Sequence, residues 1–378
     1  MAGLDVICIG AVNYDYMFRC TAEDLITDES EGAEDLSNST ELVERDIREL
    51  IRKDREYTTQ LGGSAFITLK VIKYIFMHMK TAYVGVCGGL SDFELRFGKT
   101  NDLETELEHL DNREWFFTTE NRFDRPENRY VAKSVVRLYN HSRNCIRIAP
   151  NANNTLLERI REKEYSGDRT LAAYLSCARW VHLSSLSDFD QFEEIMGSVR
   201  EAKQKNPSLL VSMDPGFEYT SKYRDRLQKL IGCVDYLFLN NSEKKNLGMN
   251  DRDTWKLYRN LREYCTQSGA GAQQTLIVKH DNRSELVRFA GGKTIIRTVW
   301  HRKMYNYELN NDTGAGDSFA GGFIAGMLVR EKEPDIPWAV GMGVVAAKGR
   351  MRSFDHENPY YNIHMDAGKY IRGEKLRR

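Results

Sequence analysis

The fold is decided by the segment Asn311-Asp312-Thr313-Gly314-Ala315-Gly316-Asp317, a glycine-rich turn that leads into the apolar run 323–329. The run is long enough to continue a helix. Gly314 and Gly316 lack Cβ atoms, so the backbone between them can adopt positive φ and point successive N–H groups at one place. These donors would lie at the positive end of the helix dipole, where anions bind.

Asp317 is unexpected in an anion site because a carboxylate repels phosphate. Its presence is explained if it takes a proton from a hydroxyl that attacks the phosphate. An ordinary capped helix explains the same local pattern equally well, since glycine-rich turns often only begin helices. Gly321, Gly322 and Gly326 lie inside the predicted helix, where each glycine costs about 1 kcal/mol relative to Ala. A closely packed neighbour or a flat ligand is therefore expected there.

Composition excludes several classes of protein. The chain has 378 residues, a net charge of −1 and 41% hydrophobic residues, which suffices for one large α/β domain or two smaller ones. The near-neutral charge argues against a basic nucleic-acid-binding face, and the short basic tail 372–378 is expected to be solvated. Seven scattered cysteines without a Cys-x-x-Cys pair argue against zinc and a disulfide framework. No secretory signal or membrane-spanning run is found, so a cytoplasmic protein is expected.

Short apolar runs alternate with charged helical stretches. Predicted strands lie at 5–10, 81–87, 129–139, 145–148, 180–183, 209–213, 236–239 and 275–278. Predicted helices lie at 41–55, 66–76, 103–110, 192–205, 223–231 and 253–266. This alternation predicts βαβ units and a mainly parallel sheet with right-handed crossovers. No linker divides the chain, so a single domain over 1–378 is predicted, with a β-hairpin over 129–148.

Residues 21–60 differ from the rest of the chain. The segment begins with an acidic, weakly apolar stretch whose composition is typical of disorder. A charged helix with Leu42, Ile47 and Leu50 on one face is predicted after it. The segment is therefore predicted to be an atypical lid or insertion rather than core.

Polar residues follow several predicted strands, at the sheet edge where α/β proteins bind ligands. Asn13 and Asp15 follow the first strand, Asp214 follows a middle one, and Asn240 and Glu243 follow the next. Each alone is more often a turn or cap residue. Together they would suit a phosphoryl-transfer cleft in which Glu243 holds Mg²⁺ through water. No P-loop motif occurs.

The chain resembles the PfkB, or ribokinase-like, family of sugar and nucleoside kinases over almost its whole length. The most specific match is the segment 312–317, which fits the C-terminal signature of that family. Gly62-Gly63 before an apolar helix resembles its N-terminal signature, and Asn240-x-x-Glu243 resembles its magnesium and phosphate motif. The resemblance implies a three-layer α/β/α sandwich with a mainly parallel central sheet, a small lid, and the use of ATP and Mg²⁺.

The resemblance also implies roles for individual residues. The catalytic set would be the base Asp317 with the anion-hole residues Gly314, Ala315 and Gly316. Nucleotide phosphates would be bound by Asn240, Glu243, Lys279, Thr313, Gly314 and Gly316, with Glu243 as the metal ligand. The phosphate acceptor would be held by Asn13, Asp15, Gly62, Gly63 and Asp317.

Four departures from the family pattern fall on substrate or nucleotide-base contacts. Ile67 replaces an Asn that touches the sugar, and Leu90 occupies a position where Asp is expected. The stretch 279–284 lacks the glycines of the nucleotide loop, and 21–60 replaces the usual short β-lid. The resemblance therefore implies retained chemistry and an unusual acceptor.

The sequence favours an ATP- and Mg²⁺-dependent kinase, a phosphotransferase that acts on a sugar hydroxyl. A nucleoside acceptor is the alternative, because Ile67 makes the pocket less polar. A ribokinase-like protein that binds a nucleotide or metabolite without catalysis is the second alternative, against which an intact Asp317 counts. The acceptor and the oligomeric state, a homodimer included, stay open; neither a nucleic acid nor a membrane is expected as a partner.

Overall fold

The computed structural model describes twelve ranges of the chain. They are residues 3–25, 33–36, 38–99, 107, 110–118, 126–167, 169–248, 274–290, 293–304, 311–330, 335–353 and 360–373. The predicted helix 253–266, most of the predicted helix 103–110, part of the segment 21–60 and the end of the basic tail lie outside these residues.

The described ranges contain fourteen strands and twelve helices. The strands are β1 (Leu4–Ile9), β2 (Asn13–Arg19), β3 (Ala33–Asp35), β4 (Tyr57–Gly62), β5 (Thr81–Cys87), β6 (Phe116–Thr118), β7 (Ala132–Tyr139), β8 (Ser142–Ala149), β9 (Ala178–Ser184), β10 (Leu210–Asp214), β11 (Tyr236–Asn240), β12 (Thr275–Lys279), β13 (Arg283–Ala290) and β14 (Lys293–Trp300). The helices are α1 (Thr40–Arg52), α2 (Ser64–Ile75), α3 (Asp92–Phe97), α4 (Leu156–Tyr165), α5 (Leu171–Leu175), α6 (Phe189–Lys205), α7 (Gly216–Lys222), α8 (Arg224–Leu230), α9 (Asn241–Asn246), α10 (Ala315–Val329), α11 (Ile336–Met351) and α12 (Tyr361–Ile371).

The central sheet has nine strands in the order β14-β13-β12-β11-β10-β9-β1-β5-β6. All neighbours from β12 to β6 pair in parallel, while β13 and β14 extend the sheet antiparallel at one edge. Strands such as β9 are buried on both faces because helices cover both sides of a parallel sheet. The mainly parallel central sheet predicted from the sequence is confirmed.

Helices form a layer on each face of the central sheet. Helices α2, α10, α11 and α12 pack on one face with Val6 and Cys8 of β1, and α4 to α8 pack on the other with Ile7 and Ile9. This is the predicted three-layer α/β/α sandwich. The glycines inside α10 allow the close packing: a Cβ on Gly321 would lie 2.7 Å from the Thr68 carbonyl oxygen, and one on Gly322 would lie 2.7 Å from that of Met342.

A second, five-stranded sheet has the order β3-β8-β7-β2-β4. Strands β7 and β8 pair antiparallel and are joined at Asn140 and His141, both of which have positive φ. Two segments differ from the sequence prediction. Asn13 and Asp15 lie in strand β2 rather than in the loop after β1, and residues 57–60 belong to β4. The division into one domain with a lid remains a prediction.

Helix α1 covers the face of the small sheet that lies away from Asp15. Its buried residues Val43, Ile47 and Leu50 pack with the sheet. Lys133 of β7, whose side chain is completely buried, lies 2.7 Å from Glu44 of α1 and 2.7 Å from the buried carboxylate of Glu94 in α3. The cover is therefore held by apolar packing and by buried charge. Within the described ranges, no helix is long and apolar enough to cross a membrane.

Candidate active site

Helix α10 begins at a tight turn formed by the segment 311–314. Gly314 is the N-cap and has φ 79° and ψ 6°, a left-handed conformation that favours glycine. The N–H of Thr313 donates to Asn311 Oδ1 at 2.8 Å, and the N–H of Ala315 donates to the Asp312 carbonyl at 3.1 Å. The N–H of Ala315, which the sequence predicted to be an anion-hole donor, is therefore already hydrogen-bonded within the turn. The first hydrogen bond of the helix is donated by the N–H of Ser318 to the Gly314 carbonyl, and the N–H of Gly316 lies before it in the first turn.

A cleft of about 550 Å³ opens in front of this helix start. Its lining brings together candidate residues that are far apart in the chain. They include Asp214, Asn240, Glu243, Lys279 and the residues Gly314, Ala315, Gly316 and Asp317. The candidate nucleotide-binding residues therefore share one cleft, except for Thr313, which lines a second cavity. The stretch that lacks the expected glycines contributes His280, Asp281 and Ser284 to the cleft.

The ammonium group of Lys279 lies next to the N-terminal end of α10. Its Nζ is 2.7 Å from Asp214 Oδ2, and a Cβ placed on Gly316 would be 3.1 Å from the same Nζ. Burial lowers the pKa of Lys279, but the charges of Asp214, Glu243 and Asp317 outweigh burial and raise it overall. Lys279 is therefore charged at neutral pH, beside the positive end of a helix. The ion pair with Asp214 was not predicted, because nothing in the local sequence links β10 to β12.

Asn240 and Glu243 form a capping box at the start of α9. Asn240 Oδ1 accepts the N–H of Glu243 at 2.9 Å, and Glu243 Oε2 accepts the N–H of Asn240 at 2.8 Å. Both residues also line the cleft. Among the described residues no three His, Cys, Asp or Glu side chains converge on a metal position. The single carboxylate of Glu243 in this cleft still fits Mg²⁺, which binds few carboxylates and keeps waters.

A second, smaller cavity of about 70 Å³ lies beneath the small sheet. Its polar lining includes Asn13, Asp15, Ser134 and Asn153, and its apolar wall consists of Leu36, Ile67, Val136, Ile146, Ile148 and Leu186. Asn13 Oδ1 accepts a hydrogen bond from Asn153 Nδ2 at 3.0 Å. Ser134 was missed by sequence reasoning because it reaches the cavity only through the pairing of β7 with β2. Asn153 was missed because it lies in the turn after β8 and is held at the cavity by hydrogen bonds to residues far earlier in the chain.

Asp15 is the buried carboxylate of this cavity. Ser134 Oγ donates to Asp15 Oδ1 at 2.6 Å. Burial raises the pKa of Asp15 to about 6, although the Ser134 hydroxyl, the Gln60 amide and the charges of Arg350 and Lys70 act in the opposite direction. Asp15 is therefore largely ionised at neutral pH and can accept hydrogen bonds from hydroxyl groups.

The Gly62-Gly63 pair makes room for this carboxylate and for the start of α2. A Cβ on Gly62 would lie 1.8 Å from Asp15 Oδ2, so any larger residue would displace Asp15. Gly63 has φ 104°, and a Cβ there would lie 2.1 Å from the Ala11 carbonyl oxygen. Gly63 lines the small cavity, whereas Gly62 acts only through the position of Asp15.

Asp317 lines both the large cleft and the small cavity. Gly314, Ser64 and Arg143 also line both. The backbone of Asp317 is held by α2, because its carbonyl oxygen accepts a hydrogen bond from the Thr68 hydroxyl at 3.0 Å. Asp317 therefore lies at the junction between the cleft in front of α10 and the small cavity that contains the buried carboxylate of Asp15.

Comparisons with known proteins agree with the fold. Among solved structures, the chain resembles adenosine kinase from Schistosoma mansoni (TM-score 0.68, 16% identity, 95% of this chain and 99% of the other). It also resembles a probable sugar kinase from Rhizobium etli (TM-score 0.67, 17% identity, 98% of this chain and 99% of the other). A third similar structure is ribokinase from Giardia lamblia (TM-score 0.67, 15% identity, 98% of this chain and 99% of the other). At these identities the likeness shows the fold alone. No curated protein matches the sequence. Residues 134–348, more than half of the chain, match the family model for pfkB family carbohydrate kinases, and the chain therefore belongs to that family of kinases.

Proposed function

We propose that this protein is an ATP- and Mg²⁺-dependent kinase that transfers the γ-phosphate to a hydroxyl group of a sugar. The observation that carries the proposal is the position of Asp317, which lines both cavities at the start of α10. A base placed there can take the proton of a hydroxyl in the small cavity while that oxygen attacks the γ-phosphorus from the cleft. The proton then resides on Asp317, and ADP leaves.

The cleft supplies the groups that a nucleoside triphosphate needs. The N–H of Gly316 and the ammonium of Lys279 would stabilise the charge on the transferred phosphate. Glu243 would hold Mg²⁺ through water, and the ion would neutralise phosphate charge when bound. Lys279 must then exchange part of its ion pair with Asp214 for phosphate oxygens, which the flexible four-carbon side chain of lysine allows.

The small cavity supplies the groups that a sugar needs. The carboxylate of Asp15 can accept hydrogen bonds from hydroxyl groups, and the amide of Asn13 can donate or accept them, while Asp317 would face the hydroxyl that reacts. A nucleoside is the second candidate acceptor, because the aliphatic wall that contains Ile67 and Ile146 would suit a flat base. The cytoplasmic location expected from the sequence, and a small-molecule partner, belong to the same proposal.

The proposal is tested by measuring ADP release with ATP and Mg²⁺ across a panel of sugars and nucleosides. Asp317→Asn should bind a non-hydrolysable ATP analogue as the parent does, yet lose about 10²- to 10⁴-fold in kcat, the typical contribution of a general base. Asp281→Asn is the matched control, because Asp281 lines the same cleft but is largely exposed and paired with Lys303. It should retain the parent's kcat.

The acceptor panel separates the alternatives. Turnover with free sugars supports the proposal, and turnover restricted to nucleosides selects the second candidate. Undiminished turnover by Asp317→Asn would remove Asp317 from the role of base. Binding of the ATP analogue with no ADP release for any acceptor would favour a non-catalytic nucleotide-binding protein.

A further inference from the structure

Arg350, near the end of α11, is a buried cation without a carboxylate partner. Its side chain is 1% exposed, and among the described residues no Asp or Glu forms an ion pair with it. Burying an unpaired charge is costly. The buried guanidinium of Arg350 is explained if its hydrogen bonds and its positive charge act on the groups around it.

The guanidinium connects the two sides of the active site. Its Nε donates to the Thr313 carbonyl at 3.1 Å, and its Nη2 donates to Gln60 Oε1 at 3.0 Å. Thr313 belongs to the turn that begins α10, and a Cβ on Gly314 would lie 3.3 Å from Arg350 Nε. Gln60 lies directly opposite Asp15 in the pairing of β2 with β4. One planar side chain therefore holds both the phosphate-side turn and the residue beside the acceptor carboxylate.

We propose that Arg350 is a positioning residue that couples the acceptor-binding carboxylate Asp15 to the anion-binding turn at Gly314. The inference rests on the proposed kinase function and goes beyond it, because Arg350 lines neither cavity. Arg350 would fix the separation between the acceptor hydroxyl and the transferred phosphate. Its charge would also keep Asp15 ionised for binding hydroxyl groups.

The electrostatic part of the proposal involves every group that faces Asp15. Ser134 of β7 and Gln60 of β4 contribute dipoles, and Arg350 of α11 and Lys70 of α2 contribute positive charge, all of which lower the pKa of Asp15 against the effect of burial. The other charged side chains that line the cavity are Arg143 and Asp317. Removing the charge of Arg350 should therefore raise the pKa of Asp15.

The experiment compares Arg350→Met and Arg350→Lys with the parent. Arg350→Met removes the charge and both hydrogen bonds, whereas Arg350→Lys keeps the charge but cannot form the same fork. Arg352→Met is the matched control, because Arg352 lies at the same helix end and pairs with Asp366 at 3.1 Å, away from the site. Two quantities are measured: the pKa of Asp15, from ¹³C-labelled Asp carboxyl signals assigned with Asp15→Asn, and the kinetics with the best acceptor.

We expect the pKa of Asp15 to rise in Arg350→Met and to stay at the parent value in Arg350→Lys and Arg352→Met. We expect kcat/KM for the acceptor to fall by about 100-fold in Arg350→Met, the effect of a misplacement of about 1 Å. The acidic limb of its pH profile should move to higher pH. In Arg350→Lys the acidic limb should stay in place while kcat falls about tenfold or more.

A folded Arg350→Met variant with the parent's Asp15 pKa would overturn the electrostatic coupling. If Arg350→Met does not fold, parental kcat in Arg350→Lys would overturn the positional coupling. A parent without kinase activity would refute the proposed function instead, and the carboxyl titration would still decide whether Arg350 acts on Asp15.

Discussion

Gly316→Ala should make the protein more stable and less active at the same time. Gly316 lies in the first turn of α10, where Ala is favoured over Gly by about 0.5 kcal/mol. The added Cβ would meet only the end of a flexible side chain, Lys279 Nζ at 3.1 Å, with Asp214 Oδ2 at 4.0 Å. Stability should therefore not fall, because Lys279 can shift by a few tenths of an ångström.

The same methyl group would stand in the proposed anion site. Its contacts, Lys279 and Asp214, both line the cleft, so the Cβ points to where a phosphate oxygen would lie. The methyl group would hold the γ-phosphate away from the backbone N–H at position 316 and from the ammonium of Lys279. Losing one such preorganised donor costs about 10²- to 10³-fold in kcat.

Gly197→Ala isolates the effect of helix propensity. Gly197 is exposed in α6, and a Cβ there meets nothing within 4 Å. This variant should gain about 1 kcal/mol in the free energy of unfolding and keep the parent's kinetics. Urea unfolding and initial rates of ADP release measure both quantities. A Gly316→Ala variant with the kcat of Gly197→Ala would refute the assignment of the helix start as the phosphate site.

Two further predictions concern buried charge. Lys133→Met should lower the free energy of unfolding by about 3 to 5 kcal/mol, because Glu94 is left buried without its cation. In urea unfolding, adding Glu94→Gln should recover most of this loss. If the effects of the two substitutions simply add in the double variant, the ion pair is contradicted. Asp15 should destabilise the fold as pH rises, because its folded pKa of about 6 exceeds its ordinary value of 3.8. Its contribution is fully present below the ordinary pKa and is lost as pH rises through about 6. The unfolding free energy of the parent minus that of Asp15→Asn should fall over this interval, and a rise would refute the buried environment.

The start of α10 could be predicted from the sequence because its determinants are local. The left-handed backbone at Gly314 requires a residue without Cβ, and the apolar run after it fixes the helix. The parallel sheet followed equally well from the alternation of apolar runs and charged helices. A strand that is buried on both faces has a nearly continuous apolar run in its own sequence, so each such strand can be recognised without knowing its neighbours.

The acceptor side was less predictable because its geometry depends on distant pairing. Strand β2 has Tyr14, Tyr16 and Phe18 buried under α1 and Asn13 and Asp15 facing the cavity. Residues 13–19 do alternate polar and apolar side chains, but Asn and Asp also favour turns, and the segment was therefore interpreted as the loop after β1. The partner strand β7 follows more than a hundred residues later, and no local pattern links the two strands.

Ile67 shows how a single position can serve both sides of the site. The departure from the family pattern at this residue first indicated a less polar acceptor pocket, and Ile67 does line the small cavity. Its Cδ1 would also lie 3.3 Å from a Cβ on Gly314, the same separation as that of Arg350 Nε. The turn that begins α10 thus rests on an apolar side chain and on a buried guanidinium. A change at Ile67 would therefore move the phosphate-side turn as well as the acceptor wall, so the identity of this residue cannot report acceptor preference alone.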